Sequence, residues 1–157
     1  MKKASPLVPG SPVGAASRIL VGAVLLYSGL QKSAVPAEEF ASIIDFYRLL
    51  PEGYSLVLAS VLPALEVLVG LALVTGYLCR YAALAGGSMS LMFIGALGST
   101  IFRGIPLPDC GCFGKLVHLT PWQAVGLDSG LVCLSYLAYR SAHAYAWVDS
   151  WVERGTE

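Results

Sequence analysis

The chain is unusually apolar: of its 157 residues, 56 % are hydrophobic and only 13 % are charged. A soluble domain carries roughly 25 % charged residues, so this composition predicts an integral membrane protein in contact with the lipid bilayer. The formal net charge is zero, which gives no electrostatic reason to expect nucleic acid binding. Four cysteines are too few for a scaffold held together by disulfides.

Four segments are apolar and long enough to cross a bilayer as helices, which takes about 20 residues. The predicted spans cover residues 15–31, 54–75, 81–102 and 121–139. An open sheet cannot span lipid, so the predicted fold class is all-α, an integral membrane four-helix bundle over residues 15–142. Residues 1–14 are expected to form a mobile tail, and residues 143–157 an interfacial one.

The stretch between spans one and two, residues 37–50, predicts a short amphipathic helix. One face of this helix would carry Phe40, Ile43, Ile44, Tyr47 and Leu50. The segment is too short to cross the membrane. It is therefore expected to lie at the membrane interface and to end before Pro51.

Two local patterns predict how the last two spans pack and begin. Ala82, Gly86 and Ser90 form a stripe of small residues at four-residue spacing, which lets a neighbouring helix approach closely. Thr120 and Gln123 have the spacing of a capping box, so the fourth helix is expected to begin between them.

The segment between spans three and four contains two cysteines, Cys110 and Cys112, separated by Gly111. Cysteines this close can form a disulfide only if the backbone bends, and glycine permits such a bend. Strained, exposed disulfides are labile and suit redox exchange. Four-ligand zinc sites usually use two such pairs, so a redox pair is favoured over metal ligands or inert thiols, and no metal is expected.

His118 follows Cys112 by six residues in the same segment. An imidazole near the pair could favour the reactive thiolate. The alternative is a histidine that lies at the membrane interface and takes no part in the chemistry. His118 is therefore a candidate site residue beside the cysteines.

The distribution of Lys and Arg predicts the orientation. With a cytoplasmic N-terminus, the cytoplasmic side holds six such residues: Lys2, Lys3, Arg18, Arg80, Arg140 and Arg154. The other side holds four: Lys32, Arg48, Arg103 and Lys115. This bias predicts an inner-membrane protein with both termini cytoplasmic. The cysteine pair would then face the extracytoplasmic, oxidising compartment.

Glu66 lies near the middle of span two. A charged carboxylate there costs several kcal/mol unless it is paired or protonated. It could relay protons or contact a quinone, or it could be a hydrogen-bonded acid in a packed helix. Asp128, about two turns into span four, could share a proton or cation with it. Cys133 on the same span is expected to be a small buried hydrophobe.

The motif Cys110-Gly111-Cys112-Phe113-Gly114 resembles the MauE branch of the DoxX-like family of four-helix membrane proteins. Residues 27–32, 62–66 and 103–104 resemble the same branch, and the likeness covers nearly the whole chain after Arg18. The resemblance implies a four-helix membrane fold. It also implies that Cys110 and Cys112 are a redox pair and that Glu66 is the intramembrane acid.

The MauE branch is implicated in disulfide formation in the periplasmic enzyme methylamine dehydrogenase, and the wider family in quinone- and thiol-linked redox chemistry. The resemblance thus implies a membrane thiol–disulfide oxidoreductase. Its cysteine pair would exchange electrons with a thioredoxin-like or maturing periplasmic redox partner, with quinone as a candidate acceptor. The alternative is a non-catalytic subunit or assembly factor of a larger membrane redox complex. In that case the cysteine pair would be a local staple and the small-residue stripe a docking face.

Overall fold

A computed structural model describes residues 12–51, 53–105 and 120–145, and the regular secondary structure of this part of the chain consists of helices joined by turns, without strands. The predicted all-α fold class is confirmed for these residues. Five helices follow one another: α1 Pro12–Ser33, α2 Ala37–Phe46, α3 Tyr54–Thr75, α4 Cys79–Phe102 and α5 Pro121–Tyr145. Helices α1 and α5 thus include a few residues of the predicted tails, and most of both tails lies outside the described ranges.

In the part of the chain that the structure describes, three helices are long and apolar enough to cross a membrane, so the chain is a multi-pass membrane protein. They are Val13–Ser33, Tyr54–Thr75 and Cys79–Phe102, which agree with the first three predicted spans to within a few residues. Helix α5 is 25 residues long but is not among the candidate spans found in the described ranges. Polar side chains such as Gln123, Asp128 and Ser135 lower its hydropathy. A fourth span over residues 121–139 therefore stays a prediction.

The four long helices pack against one another in antiparallel pairs. Helix α1 lies along α3, and α4 lies along α5; α1 also contacts α5, and α3 contacts α4. Their shared core is small and aliphatic, formed by Val21, Leu25, Leu73, Ala82, Ala83, Leu131 and Ala138. Large apolar side chains on the outer faces, among them Val61 and Leu68, stay exposed, as expected for helices that contact lipid.

Glycines allow α1 and α3 to approach closely. A Cβ atom at Gly22 would lie 2.9 Å from the carbonyl oxygen of Gly70, and one at Gly29 would lie 2.9 Å from that of Pro63. Real Cβ atoms essentially never come within 3.0 Å of such atoms. Only glycine fits at these crossings, and the close approach brings the inner face of α1 against Glu66.

The small-residue stripe on α4 packs inside the protein, as predicted. Ala82, Gly86 and Ser90 are all buried. A Cβ atom at Gly86 would lie 3.2 Å from Leu25 on α1 and 3.6 Å from Leu73 on α3. The stripe is therefore already covered by the protein's own helices.

Helix α2 ends at Phe46, so the prediction that it continues to Leu50 is wrong. Arg48 adopts a left-handed backbone conformation with φ 49°, which a helix cannot continue through. The guanidinium of Arg103, just after α4, donates hydrogen bonds to the carbonyl oxygens of Tyr47 at 2.7 Å and Arg48 at 3.3 Å. A distant residue thus satisfies carbonyls at the end of α2. The helix packs against α3, and its place at the membrane interface stays a prediction.

The predicted capping box at the start of α5 is confirmed. The backbone N–H of Thr120 donates to the side-chain oxygen of Gln123 at 3.0 Å. The backbone N–H of Gln123 donates to the Thr120 hydroxyl at 3.4 Å. The two reciprocal bonds satisfy N–H groups that a helix start would leave without partners.

Candidate functional site

Three predicted site residues, Cys110, Cys112 and His118, lie outside the described residues, so their roles stay predictions. In the described part of the chain, neither Cys79 nor Cys133 takes part in a disulfide. Within the same ranges, no group of three His, Cys, Asp or Glu side chains could hold a metal ion.

Cys133 is exposed, so the expectation that it is buried is wrong. Helix α5 turns Leu131, Ser135 and Ala138 inward, at spacings of four and three residues. A helix advances about 100° per residue, so Cys133 lies on the opposite face from Leu131. It sits on the outer surface of the helices.

Both flanks of the cysteine segment meet the rest of the protein at Tyr47, in the turn after α2. On one side, Arg103 follows α4 and donates a hydrogen bond to the Tyr47 carbonyl oxygen at 2.7 Å. On the other side, Ala124 in the first turn of α5 packs with Tyr47 and Leu97 in one buried cluster. Residues 105 and 120 therefore lie at the same end of the helices as α2.

Glu66 lies in the middle of α3 with 0 % of its surface exposed, and it forms an ion pair with Lys32 of α1. The Lys32 ammonium donates to both carboxylate oxygens, at 2.7 and 2.9 Å. Ser28 donates to one of the same oxygens at 3.1 Å and accepts from Lys32 at 2.6 Å. Glu66 is thus paired, as a carboxylate at this depth requires.

Lys32 is itself only 2 % exposed, although a lysine near the end of a membrane helix usually extends its ammonium to the interface. Its ammonium lies 5.1 Å from the ring centroid of Phe93 and 5.9 Å from that of Phe40. Cations at such distances are attracted to the faces of aromatic rings. One carboxylate, one hydroxyl and two rings therefore surround the ammonium.

The role of Lys32 was missed by sequence reasoning, which counted it only among the charges outside the membrane. Two signals could have found it. A lone carboxylate in mid-span needs a partner, and a lysine with a serine four residues earlier presents two polar groups on one helix face. Lys32 and Glu66 also end the two segments, residues 27–32 and 62–66, that carry part of the family resemblance.

A small cavity of about 20 Å³ lies beside the ion pair. Its polar lining comes from four helices: Ser28, Lys32, Glu66, Ser90 and Asp128. This volume is enough for one water molecule, which needs about 10–15 Å³. The packing of α5 on α1 thus brings Asp128, which is 6 % exposed, to the same cavity as Glu66. Two carboxyl groups and one ammonium around one water-sized space can hold or pass a proton.

A larger, apolar cavity of about 160 Å³ lies on the other side of Lys32, between α2, α3 and α4. Aliphatic and aromatic side chains line it, including Ile43, Tyr47, Leu62 and Met92. Among the described residues that line it, Lys32 is the only charged one. Lys32 and Phe93 border both cavities, so Lys32 adjoins both the water-sized space shared with Glu66 and Asp128 and the larger apolar one.

The comparisons of this chain with known proteins agree on one family. Residues 11–141 match the family model of the methylamine utilisation protein MauE. The chain is 37 % identical over 98 residues to the methylamine utilization protein MauE of Paracoccus denitrificans. These aligned residues are 62 % of this chain and 52 % of that protein. It is 31 % identical over 112 residues to the protein of the same name from Methylorubrum extorquens, covering 68 % of this chain and 60 % of that protein.

The aligned part spans little more than half the length of these relatives. No solved structure matches the chain significantly.

Proposed function

Because the chain belongs to the family of the methylamine utilisation protein MauE, we propose that it serves methylamine utilisation as a membrane thiol–disulfide redox protein. Cys110 and Cys112 are the redox pair. The partner is a thioredoxin-like protein or a periplasmic redox enzyme that acquires its disulfides. Placement of this family among the DoxX-like proteins remains an expectation from the sequence motifs.

The observation that carries the proposal is the position of Tyr47. Arg103 donates to its carbonyl oxygen, Ala124 belongs to the same buried cluster, and Tyr47 also lines the apolar cavity next to Lys32. The described residues that precede and follow the cysteine segment therefore lie near a wall of the cavity that Lys32 lines. Buried ionisable residues within a membrane are functional-site candidates by default.

The exchange itself follows from thiol chemistry. A thiolate of the partner attacks the Cys110–Cys112 disulfide and forms a mixed disulfide. The partner's second thiol then attacks that bond, which leaves the partner oxidised and the pair reduced to two thiols. Two electrons and two protons pass to the pair in each cycle, so an acceptor must reoxidise it. Quinone is our candidate for that acceptor.

The site of this exchange in the cell is part of the same proposal. The cysteine pair faces the extracytoplasmic side of the inner membrane, where disulfides persist. Within the described ranges, Lys and Arg are divided evenly, with Arg18, Arg80 and Arg140 at one end and Lys32, Arg48 and Arg103 at the other. The orientation therefore depends on the remaining cations of the sequence.

An impermeant thiol reagent, applied to intact cells after mild reduction, should label both cysteines. Labelling that occurs only after cell lysis contradicts the extracytoplasmic location of the cysteine pair.

Single Cys110→Ser and Cys112→Ser variants test the exchange. The one remaining thiol can attack the disulfide of the oxidised partner and release one partner thiol, but it has no second thiol to resolve the mixed disulfide. Each variant should therefore accumulate a covalent adduct with its partner on a non-reducing gel. Cys133→Ser is the control, because this thiol is exposed on α5 and outside the segment. The control should form no adduct and keep the wild-type melting temperature.

The same variants distinguish the alternative, a non-catalytic subunit or assembly factor. If the cysteine pair is a staple, both variants should lose thermal stability and trap no partner. The stripe of Ala82, Gly86 and Ser90, which that alternative would use for docking, is buried against α1 and α3. A subunit of this kind would need another docking face.

A further inference from the structure

We infer that the apolar cavity between α2, α3 and α4 binds the ring of a single-ring quinone, with one carbonyl oxygen directed at the Lys32 ammonium. This inference rests on the proposed function, because it assigns a place to the acceptor that reoxidises the cysteine pair. It also makes a binding prediction that can be measured without any thiol chemistry.

The size of the cavity limits the ligand to one ring. An apolar cavity of about 150 Å³ binds a benzene molecule, and this cavity measures about 160 Å³. Two fused rings do not fit without displacement of the walls. Leu49 and Leu50 line the cavity and are 47 % and 41 % exposed, so the cavity reaches the protein surface. A tail on the ring can leave there toward lipid.

The Lys32 ammonium in the wall of the apolar cavity favours a ligand with a hydrogen-bond acceptor oxygen. The other described residues of the lining are aliphatic and aromatic, whereas the Lys32 ammonium donates hydrogen bonds and accepts none. The ammonium has three N–H groups and donates to the Ser28 hydroxyl and to both Glu66 oxygens. A ligand carbonyl therefore takes the place of the longer Glu66 bond, at 2.9 Å, and leaves the other two in place. The pair is neutral as a whole, which favours a neutral acceptor such as a carbonyl over an anion.

The aromatic side chains suit a flat molecule. Phe40 and Phe93 line the cavity and also lie close to the Lys32 ammonium. A ring that packs against them meets the ammonium at its edge, where a quinone carries its carbonyl oxygen. A saturated lipid chain makes no hydrogen bond there.

The reaction balances without further reactants. Cys110 and Cys112 lose two electrons and two protons as their S–S bond forms, and a bound quinone accepts both electrons and both protons at its carbonyl oxygens. Lys32 is placed to donate a proton at its end of the ring. Asp128 in its protonated form, beside the water-sized cavity that Lys32 also lines, is placed to replace that proton. Water supplies the proton at the other carbonyl oxygen and takes up the two protons that the cysteines release.

The test measures binding to the purified full-length chain in lipid nanodiscs by isothermal titration, with the signal of empty nanodiscs subtracted. The probe is tetramethyl-1,4-benzoquinone, which has no free ring position for thiol addition. Its comparators are 1,2,4,5-tetramethylbenzene, which has no carbonyl, and 2,3-dimethyl-1,4-naphthoquinone, which has two fused rings. The probe should bind saturably and about tenfold more tightly than either comparator.

Two substitutions from alanine to phenylalanine form a matched pair. Ala96 lines the cavity, so Ala96→Phe should fill it and weaken probe binding by at least about tenfold. Ala64 is exposed on α3 and does not line it, so Ala64→Phe should bind as the wild type does. Equal effects of the two substitutions contradict the inference.

The double variant Lys32→Met/Glu66→Leu tests the hydrogen bond without leaving an unpaired buried charge. It should still bind the ring but lose the preference for the probe over tetramethylbenzene. An unchanged preference means that Lys32 does not recognise the carbonyl. Probe binding that is seen in detergent but not in lipid nanodiscs means that the cavity holds a lipid chain. Either result overturns the inference.

A Cys110→Ser/Cys112→Ser double variant separates this inference from the proposed function. It should bind the probe like the wild type, since the described residues that line the cavity supply both its apolar wall and its ammonium. If the single-Cys variants trap a partner but the wild type does not bind the probe, the inference is wrong and the exchange function stands. If the probe binds but no partner is trapped, the cavity stands as a quinone site and the exchange function is wrong.

Discussion

The two sides of α3 pack very differently. Toward α1, Gly22, Gly29 and Gly70 bring the two backbones so close that a Cβ atom would collide with the facing helix. Toward α2 and α4, larger side chains leave an apolar cavity of about 160 Å³. The tight side positions Lys32 against Glu66, and the loose side gives a ligand room beside that pair. The structure thus combines a rigid charged centre with an adjustable apolar space.

The largest expected effect comes from the tight side, from Lys32→Met. The substitution leaves the Glu66 carboxylate buried without its ion-pair partner, which should lower the free energy of unfolding by about 3–5 kcal/mol. Reversible unfolding in detergent would measure it. Lys32→Met/Glu66→Leu is the control, because replacing both charges should recover most of the loss. If the double variant is no more stable than the single one, the ion pair does not explain the loss.

The second effect tests the glycine crossing. Gly29→Ala adds a single carbon where a Cβ atom would lie 2.9 Å from the Pro63 carbonyl oxygen and 3.0 Å from the Glu66 Cβ atom. The helices must move apart, so the substitution should lower the free energy of unfolding by about 1–3 kcal/mol.

Gly95→Ala is the matched control, since a Cβ atom at Gly95 on α4 has nothing within 4 Å. It should be neutral or stabilise by up to about 1 kcal/mol, because alanine favours the helix more than glycine does. Equal losses at Gly29 and Gly95 are incompatible with a close crossing at Gly29.

A smaller effect is expected at Arg103, next to the apolar cavity between α2, α3 and α4. Arg103→Gln removes the guanidinium that donates to the carbonyl oxygens of Tyr47 and Arg48. Hydrogen bonds on a partly exposed group contribute about 1 kcal/mol, so the melting temperature should fall by a few degrees. Hydrogen exchange of α2 should rise more than that of α1. Uniform exchange across both helices would argue against a local role for Arg103.

The smallest effect should come from filling the loose side. Ala96→Phe adds a whole ring, yet the cavity offers space for it, so the free energy of unfolding should change by less than about 1 kcal/mol. One added carbon at Gly29 should therefore cost more than an added ring at Ala96. Thermal unfolding of both variants in the same detergent compares the two sides directly. A large loss at Ala96 would mean that the cavity is not available to a ring.

The apolar spans α1, α3 and α4 were predictable because length and hydropathy are local properties of a segment. The start of α5 was predictable for the same reason, since Thr120 and Gln123 are three residues apart. The end of α2 was not, because the left-handed Arg48 and the donor group of Arg103 are separated by 55 residues. The burial of Cys133 was misjudged because hydropathy does not tell which face of α5 turns inward.

The sequence by itself determined that Glu66 must be paired or protonated, because a lone charged carboxylate in mid-membrane is unstable. It also determined the Cys-x-Cys spacing and the family motifs around it. Only the tertiary structure decided that the partner is Lys32, 34 residues away, and that Asp128 shares a cavity with the pair. The physical reason is that pairing and cavity shape depend on which helix faces meet. The close approach of α1 and α3 at their glycines decides which faces of these two helices meet. The hydropathy of each helix alone does not decide it.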